Sequence, residues 1–144
     1  MIASSWFGIG LMPGAPGTFA SLAGLPLVIL NGYNTPVIAA LFILCFLIFA
    51  IWASGVTQEL LNRMDPPQVV IDEVGGILVA LFWVPVSWLA LCLGFVLFRI
   101  FDIIKPFPVN RVETLKGGTG IVLDDLLAGI YANLCLRFIL FLIT

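Results

Sequence analysis

The stretch Val74 to Phe98, VGGILVALFWVPVSWLALCLGFVLF, decides the fold: 25 residues without a charge, broken near its middle by Val84-Pro85-Val86-Ser87. Charged sequence flanks it on both sides, so it is either one kinked membrane span or a hairpin folded at Pro85. A single span sends the two flanks to opposite faces of a membrane. A hairpin returns them to one face, with arms of about 11 to 12 residues, or roughly 17 Å of helix, that enter a hydrocarbon core of about 30 Å without crossing it. The hairpin also gathers Arg63, Arg99, Lys105, Arg111 and Lys116 on one side, as the positive-inside bias prefers. It is the expected arrangement, with that side cytoplasmic and with neighbouring helices covering the turn.

Working outward, the whole chain has the character of that stretch. Of its 144 residues 62% are hydrophobic and 10% are charged, and no charge precedes Glu59. Such a segment cannot make a water-soluble surface, so a soluble globular protein is excluded. The net charge of −2 offers no basic footprint for nucleic acid. The absence of histidine removes histidine phosphatases, histidine-rich zinc sites and imidazole proton relays. Cys45, Cys92 and Cys135 each lie in an apolar run and are expected to be small buried hydrophobes, without a disulfide framework. The first residues lack the basic region of a secretory signal, and residue 1 is read as part of the mature protein.

Five helices are expected. The first follows GAPGT with Thr18 as N-cap and runs to Leu30, before the turn Asn31-Gly32-Tyr33-Asn34. A second starts near Pro36, is uncharged to Gln58 and continues to about Met64, long enough to span. Asp65-Pro66-Pro67 ends it and caps the third. The fourth begins near Trp88 and stops at Lys105-Pro106-Phe107-Pro108. A hinge at Gly117-Gly118-Thr119-Gly120 opens the fifth, from about Ile121 to the end of the chain. The fold class is all-α: a polytopic membrane bundle of about five helices with a half-membrane hairpin, residues 1–144 forming one integral-membrane domain.

Two acidic pairs stand where polar sequence turns apolar: Asp72 and Glu73 in VIDEVGG, and Asp124 and Asp125 in GIVLDDLLAG. Small residues follow each pair by three or four positions, Gly75 and Gly76 in one, Ala128 and Gly129 in the other. They share a helix face with the acids and let a second helix or a ligand approach closely. Acidic residues in a first turn also complement the helix dipole, which would explain one such pair. Two pairs plus Asp102 place five of eight carboxylates at the membrane boundary, where repulsion is costly without a cation. With oxygen ligands only, Mg²⁺ is the natural choice.

Arg99, Asp102 and Lys105 recur at intervals of three on one arc of the fourth helix. They are either intrahelical ion pairs with snorkelling cations, or phosphate-binding cations with an acidic metal ligand or orienting group. The loop Pro13 to Thr18 either presents backbone N–H groups to an anion or is a plain turn. Arg137, inside the last helix, is open between pairing with a carboxylate, facing another copy of the chain and snorkelling. Cys-x5-Arg, Asp-x-Asp, Walker A and Rossmann patterns are missing, so phosphate ester hydrolysis would need metal-activated water or, second, an aspartate nucleophile.

These segments resemble the phosphatidylglycerophosphatase A family of bacterial membrane lipid phosphatases: LMPGAPGTFASL at 11–22, VVIDEVGG at 69–76, FRIFDIIKPFPV at 98–109 and GGTGIVLDDLLAG at 117–129. The departures are Gly14 where a basic residue is expected, Ala20 before Ser21 in place of glycine, and Gly75 at a usually bulkier position. The resemblance implies Mg²⁺-dependent removal of the terminal phosphate of phosphatidylglycerophosphate, giving phosphatidylglycerol, at the cytoplasmic side of the bacterial inner membrane. It implies Asp72, Glu73, Asp124 and Asp125 as catalytic groups, these four and Asp102 as metal ligands, and Thr18, Arg99 and Lys105 against the substrate phosphate. The partners expected are the phospholipid and the membrane, with no nucleic acid. The rival is a small ion-coupled transporter, which would place carboxylates near the midplane rather than at helix starts. A CDP-alcohol phosphotransferase lacks its Asp-Gly-x2-Ala-Arg motif here.

Overall fold

A computed structural model describes residues 1–112, 114, 115 and 117–144; Glu113 and Lys116 lie outside the described residues, and with them one cation of the predicted basic face. The chain is helical, with no strand among the described residues: α1 Pro16–Gly32, α2 Pro36–Leu61, α3 Ile71–Ala80, α4 Trp88–Ile104, α5 Val109–Val112 and α6 Gly118–Ile143, after a single 3-10 turn at Ile9–Leu11. The count is six rather than about five because a four-residue helix, α5, follows the proline break after α4.

Local chemistry sets most boundaries. Pro36 is the first residue of α2, and the Thr35 hydroxyl accepts from the Ile38 N–H at 3.5 Å. Asn62, in the left-handed conformation, closes α2 two residues before the expected end. Ser87 caps α4 by accepting from Ala90 N–H at 3.2 Å. Three expectations are corrected. Thr18 is not an N-cap: α1 begins two residues earlier with Pro16 pre-set for the first helical position, and its N-cap, Ala15, makes no side-chain bond. The first helix also runs through Asn31 and Gly32, since Asn31 is buried and donates to the Ala39 carbonyl at 3.4 Å. The last helix starts at Gly118 rather than Ile121, so the glycines form its first turn instead of a hinge.

The Pro85 break does fold the chain back. Glu73 in the first turn of α3 meets Arg99 near the end of α4, N to O 2.6 Å, so the two run antiparallel and their charged flanks meet at one end of the molecule. The arms are unequal, 10 residues in α3 and 17 in α4. α3 is almost wholly interior: Ile71, Val74, Ile77, Leu78 and Ala80 are all buried. It is wrapped by α6, α1, α2 and α4. Glycines set how closely. A Cβ on Gly129 of α6 would stand 2.5 Å from the Gly76 carbonyl oxygen and 3.1 Å from Val79 Cβ, so the α3 and α6 backbones touch there. Gly118 brings the start of α6 onto the Ile51 and Gly55 backbone of α2 in the same way.

Outward surfaces are apolar. Trp52, Ile48, Phe138 and Phe141 are all at least 60% exposed on α2 and α6, the two helices long and apolar enough to cross a membrane. Cys45 and Cys92 are exposed and Cys135 is half-buried, which corrects the expectation that all three are interior. In a chain with an apolar exterior, apolar context in the sequence does not separate inside from outside. Arg137 pairs with no carboxylate among the described residues. Its guanidinium donates to the carbonyls of Phe82 and Trp83, at 2.9 and 2.8 Å, and to Asn133 Oδ1 at 2.8 Å.

If the α3–α6 crossing depends on backbone contact, Gly129→Ala must push the helices apart or strain them, at a cost of about 1–3 kcal/mol. Thermal unfolding of the detergent-solubilised variant should show a lowered midpoint; an unchanged midpoint would show that the crossing yields freely.

Candidate functional site

α3 starts where the N-terminal segment holds it. The Ser4 carbonyl accepts from the N–H groups of Val70 and Ile71, at 2.8 and 3.1 Å, and the Ser4 hydroxyl lies 2.6 Å from that of Thr57 on α2. This contact fixes the first turn of α3, and with it Asp72 and Glu73, against α2. Pairing of α3 with α6 through Gly76 and Gly129 then brings Asp124 and Asp125 to the same place. Residues 1–12 were not read as structural in the sequence, because they carry neither charge nor helical periodicity.

The result is a cavity of about 370 Å³ whose wall includes Asp72, Glu73, Asp102, Asp124, Asp125 and Lys105. Asp72, Asp124 and Asp125 each turn an oxygen to within 4.8 Å of the others, and so do Glu73, Asp102 and Asp125. Asp125 belongs to both groups and is 2% exposed. All four proposed catalytic acids and all five proposed metal ligands are thus brought together. Of the three residues expected at the phosphate, Lys105 lines the cavity and Arg99 is bonded to Glu73 and Asp102 in its wall, while Thr18 neither lines it nor bonds to it among the described residues. Gly17 reaches the wall instead: a Cβ on it would overlap Glu73 Oε1 and stand 3.5 Å from Arg99 Nη1.

Both cations are engaged by carboxylates. Arg99 Nη1 donates to Glu73 Oε2 at 2.6 Å and to Asp102 Oδ2 at 2.7 Å, so the intrahelical pair read from the sequence exists, joined by a second bond across the hairpin. Lys105 Nζ donates to Asp124 Oδ2 at 2.9 Å. Asp124 Oδ1 accepts from the Asp125 N–H at 2.8 Å. Asp72 Oδ1 and Asp125 Oδ2 are buried without a hydrogen-bond partner among the described residues. α3 is too short to cross a membrane, and on it burial pushes the Glu73 carboxyl up to about 8, reinforced by Asp102 and opposed by Arg99. Burial, then the charges of Glu73 and Asp124, push Asp72 upward as well.

These features test the site for a metal. Buried carboxylate oxygens without donors are costly, and a hard cation satisfies them with the oxygen ligands it prefers. The residues fit a divalent ion: an all-oxygen donor set, two orphaned oxygens and a shared central ligand in Asp125. Arg63 also lines the cavity and was read in the sequence only as one of the basic residues on one face. The signal was its position two residues before Asp65-Pro66-Pro67, the turn that leads into α3.

Fold and cavity together define a helical protein with an apolar exterior and a recessed carboxylate centre fitted to a hard cation. A family model for phosphatidylglycerophosphatase A matches residues 2–140. Three relatives agree in extent. A Bacteroides thetaiotaomicron protein provisionally named phosphatidylinositol-3-phosphatase is 37% identical over 135 residues, covering 88% of this chain and 84% of its own. Phosphatidylglycerophosphatase A of Haemophilus influenzae is 39% identical over 130 residues, covering 88% and 79%. That of Escherichia coli is 33% identical over 135 residues, covering 92% and 78%. No solved structure matches. The chain belongs to the phosphatidylglycerophosphatase A family and is a phosphoric monoester hydrolase.

If Asp125 joins the two carboxylate groups around one ion, Asp125→Asn should weaken Mg²⁺ or Mn²⁺ binding by at least about tenfold, since one of very few first ligands is lost. Calorimetric titration of the solubilised protein reads this directly, and an unchanged affinity would remove Asp125 from the metal site.

Proposed function

We propose that this chain hydrolyses the terminal phosphate of phosphatidylglycerophosphate to give phosphatidylglycerol, with a divalent cation, Mg²⁺ by its oxygen preference, held among Asp72, Glu73, Asp102, Asp124 and Asp125. The observation that carries this reading is the pair of buried oxygens on Asp72 and Asp125, unpartnered among the described residues, inside a cavity shared by six carboxylates, in a member of this family. A bound ion supplies Lewis-acid polarisation of the phosphoryl group and makes water acidic enough to be deprotonated near neutral pH.

The protein's own side chains supply the rest. Arg99 holds Glu73 and Asp102 in place and Lys105 holds Asp124, so the carboxylates are oriented before substrate arrives. One carboxylate among Asp72, Glu73, Asp124 and Asp125 takes the proton of the attacking water. As the new O–P bond forms and the bond from phosphorus to the glycerol oxygen breaks, that carboxylate returns the proton to the leaving oxygen. Arg99 and Lys105 lie close enough to the centre to meet charge growing on the phosphoryl oxygens. The carboxylates that do not act as the base would hold the ion.

The acyl chains stay in the bilayer while the head group reaches the cavity. In this reading α2 and α6 cross the bacterial inner membrane, the α3–α4 hairpin enters it from the cytoplasmic side, and the cavity opens at that side among the basic residues. A transporter would need a path through the bilayer, whereas the described carboxylates gather at one end of the molecule, beside the starts of α3 and α6. The names of the relatives share one chemistry: a phosphomonoester on a head group that joins the lipid through a phosphodiester.

The purified protein should release inorganic phosphate from phosphatidylglycerophosphate in mixed micelles with Mg²⁺, and lose that release in EDTA. Phosphatidylinositol 3-phosphate and phosphatidic acid serve as competing substrates. Activity undiminished by EDTA, or a strong preference for either competitor, would overturn the assignment.

A further inference from the structure

Six carboxylates line the cavity, and the cations bonded to them among the described residues, Arg99 and Lys105, are thereby already engaged. The surplus is negative, and a cation held by the carboxylates serves the phosphoryl group that reacts. An anionic lipid carrying a second phosphate needs positive charge of its own, further out. Arg63 is placed to provide it. It lies just past the end of α2, is exposed, and lines the acidic cavity together with Asp65 and Pro66. It also lines a neighbouring cavity of about 440 Å³, whose wall includes Gln58, Asn62 and Gly118. Arg63 therefore stands between the two spaces, and it makes no ion pair among the described residues.

The second space suits the remainder of the head group. Asn62 brings an amide donor, and Gln58, whose buried Oε1 has no partner among the described residues, lines the same wall beside Glu59. An acceptor without a donor suits a ligand hydroxyl. A planar guanidinium at the boundary suits a phosphodiester, which it can bind through two parallel N–H···O bonds.

Resting on the function proposed above, we infer that Arg63 is the residue that recognises the phosphodiester of the substrate, and so selects lipids that carry a diester as well as the monoester that is cleaved. The monoester enters the carboxylate centre, the diester stops at Arg63, and the hydroxyl of the linking glycerol faces Gln58. Phosphatidic acid, whose single phosphate joins diacylglycerol directly, leaves Arg63 without a partner.

The test is Arg63→Gln, assayed with Mg²⁺ on phosphatidylglycerophosphate and on phosphatidic acid in the same micelles. Arg63 is exposed and unbonded, so the variant should unfold at the same temperature as the unaltered protein. A rise of about tenfold in KM for phosphatidylglycerophosphate, with kcat nearly kept, is expected, and the ratio of kcat/KM between the two lipids should fall by a similar factor. In an Asp125→Asn background, where substrate is not consumed, adding Arg63→Gln should also reduce the thermal stabilisation given by phosphatidylglycerophosphate micelles. Unchanged kinetics would overturn the inference. So would an equal loss on both lipids or a fall confined to kcat, either of which would put Arg63 at the reacting phosphate. If the unaltered protein hydrolysed neither lipid, the function itself would fail first.

Discussion

Like charges brought together in a medium that cannot screen them are the constraint on which this structure turns. Six carboxylates share one cavity, and among the described residues the cations bonded to them are Arg99 and Lys105. Every ångström of approach raises the repulsion, more steeply where apolar helices exclude water. The fold nevertheless forces the approach, because the α3 and α6 backbones touch at Gly76 and Gly129, one turn below the acids on each helix. A bulkier pair would relieve the repulsion by spreading the helices, and would also destroy the site. The glycines are thus part of the electrostatic design: they fix a separation at which the carboxylates must share a cation or a proton.

Arginine and lysine in this site keep the carboxylates aimed. Arg99 bridges Glu73 on α3 and Asp102 on its own helix, so it ties the hairpin arms together at the end where their charges lie. Lys105 ends α4 in a left-handed conformation and reaches Asp124 on α6. Each cation therefore joins two segments, and the three helices that supply acids are cross-linked through the site itself. Removing either cation would leave buried carboxylates facing one another, which costs more than the lost bond alone. A surface ion pair of the same geometry would contribute little.

Much of this was legible in the sequence because the ends of apolar helices are written in plain signals. The proline at 36, the break at Pro85 and the serine at 87 set helix boundaries by local chemistry that burial does not override. The acidic pairs and their following small residues marked the meeting faces of α3 and α6. What remained hidden depends on tertiary partners. Thr18 looks like an N-cap, but Pro16 had already begun the helix. Cys45 and Cys92 sit in apolar runs like core residues, yet they face outward, since inside and outside share one composition. Residues 1–12 have no pattern that announces a support for α3, and Arg63 counted as a charge before the fold placed it between two cavities. Gly17 gave no sign of touching Glu73, a contact between residues 56 positions apart.

The far end of α3 explains why so short a helix can stay in place. Ten residues span about 15 Å, so its last carbonyls fall inside the bundle, where water is not at hand to satisfy them. Two side chains of α6 do so instead. Asn133 Nδ2 donates to the carbonyls of Val79, Ala80 and Phe82, at 3.3, 2.9 and 3.0 Å. Arg137, one turn on, covers Phe82 and Trp83 and lies over the Trp83 ring at 5.6 Å. An arginine in an apolar helix is costly unless its donors are used, and here three of its contacts are to oxygen atoms. The same helix therefore grips α3 at both ends, through Asp124 and Asp125 beside its first turn and through Asn133 and Arg137 at its last. A slide of α3 along α6 would break the polar contacts at both ends together. The register that aligns the carboxylates is held by hydrogen bonds about 12 to 18 Å away along α6.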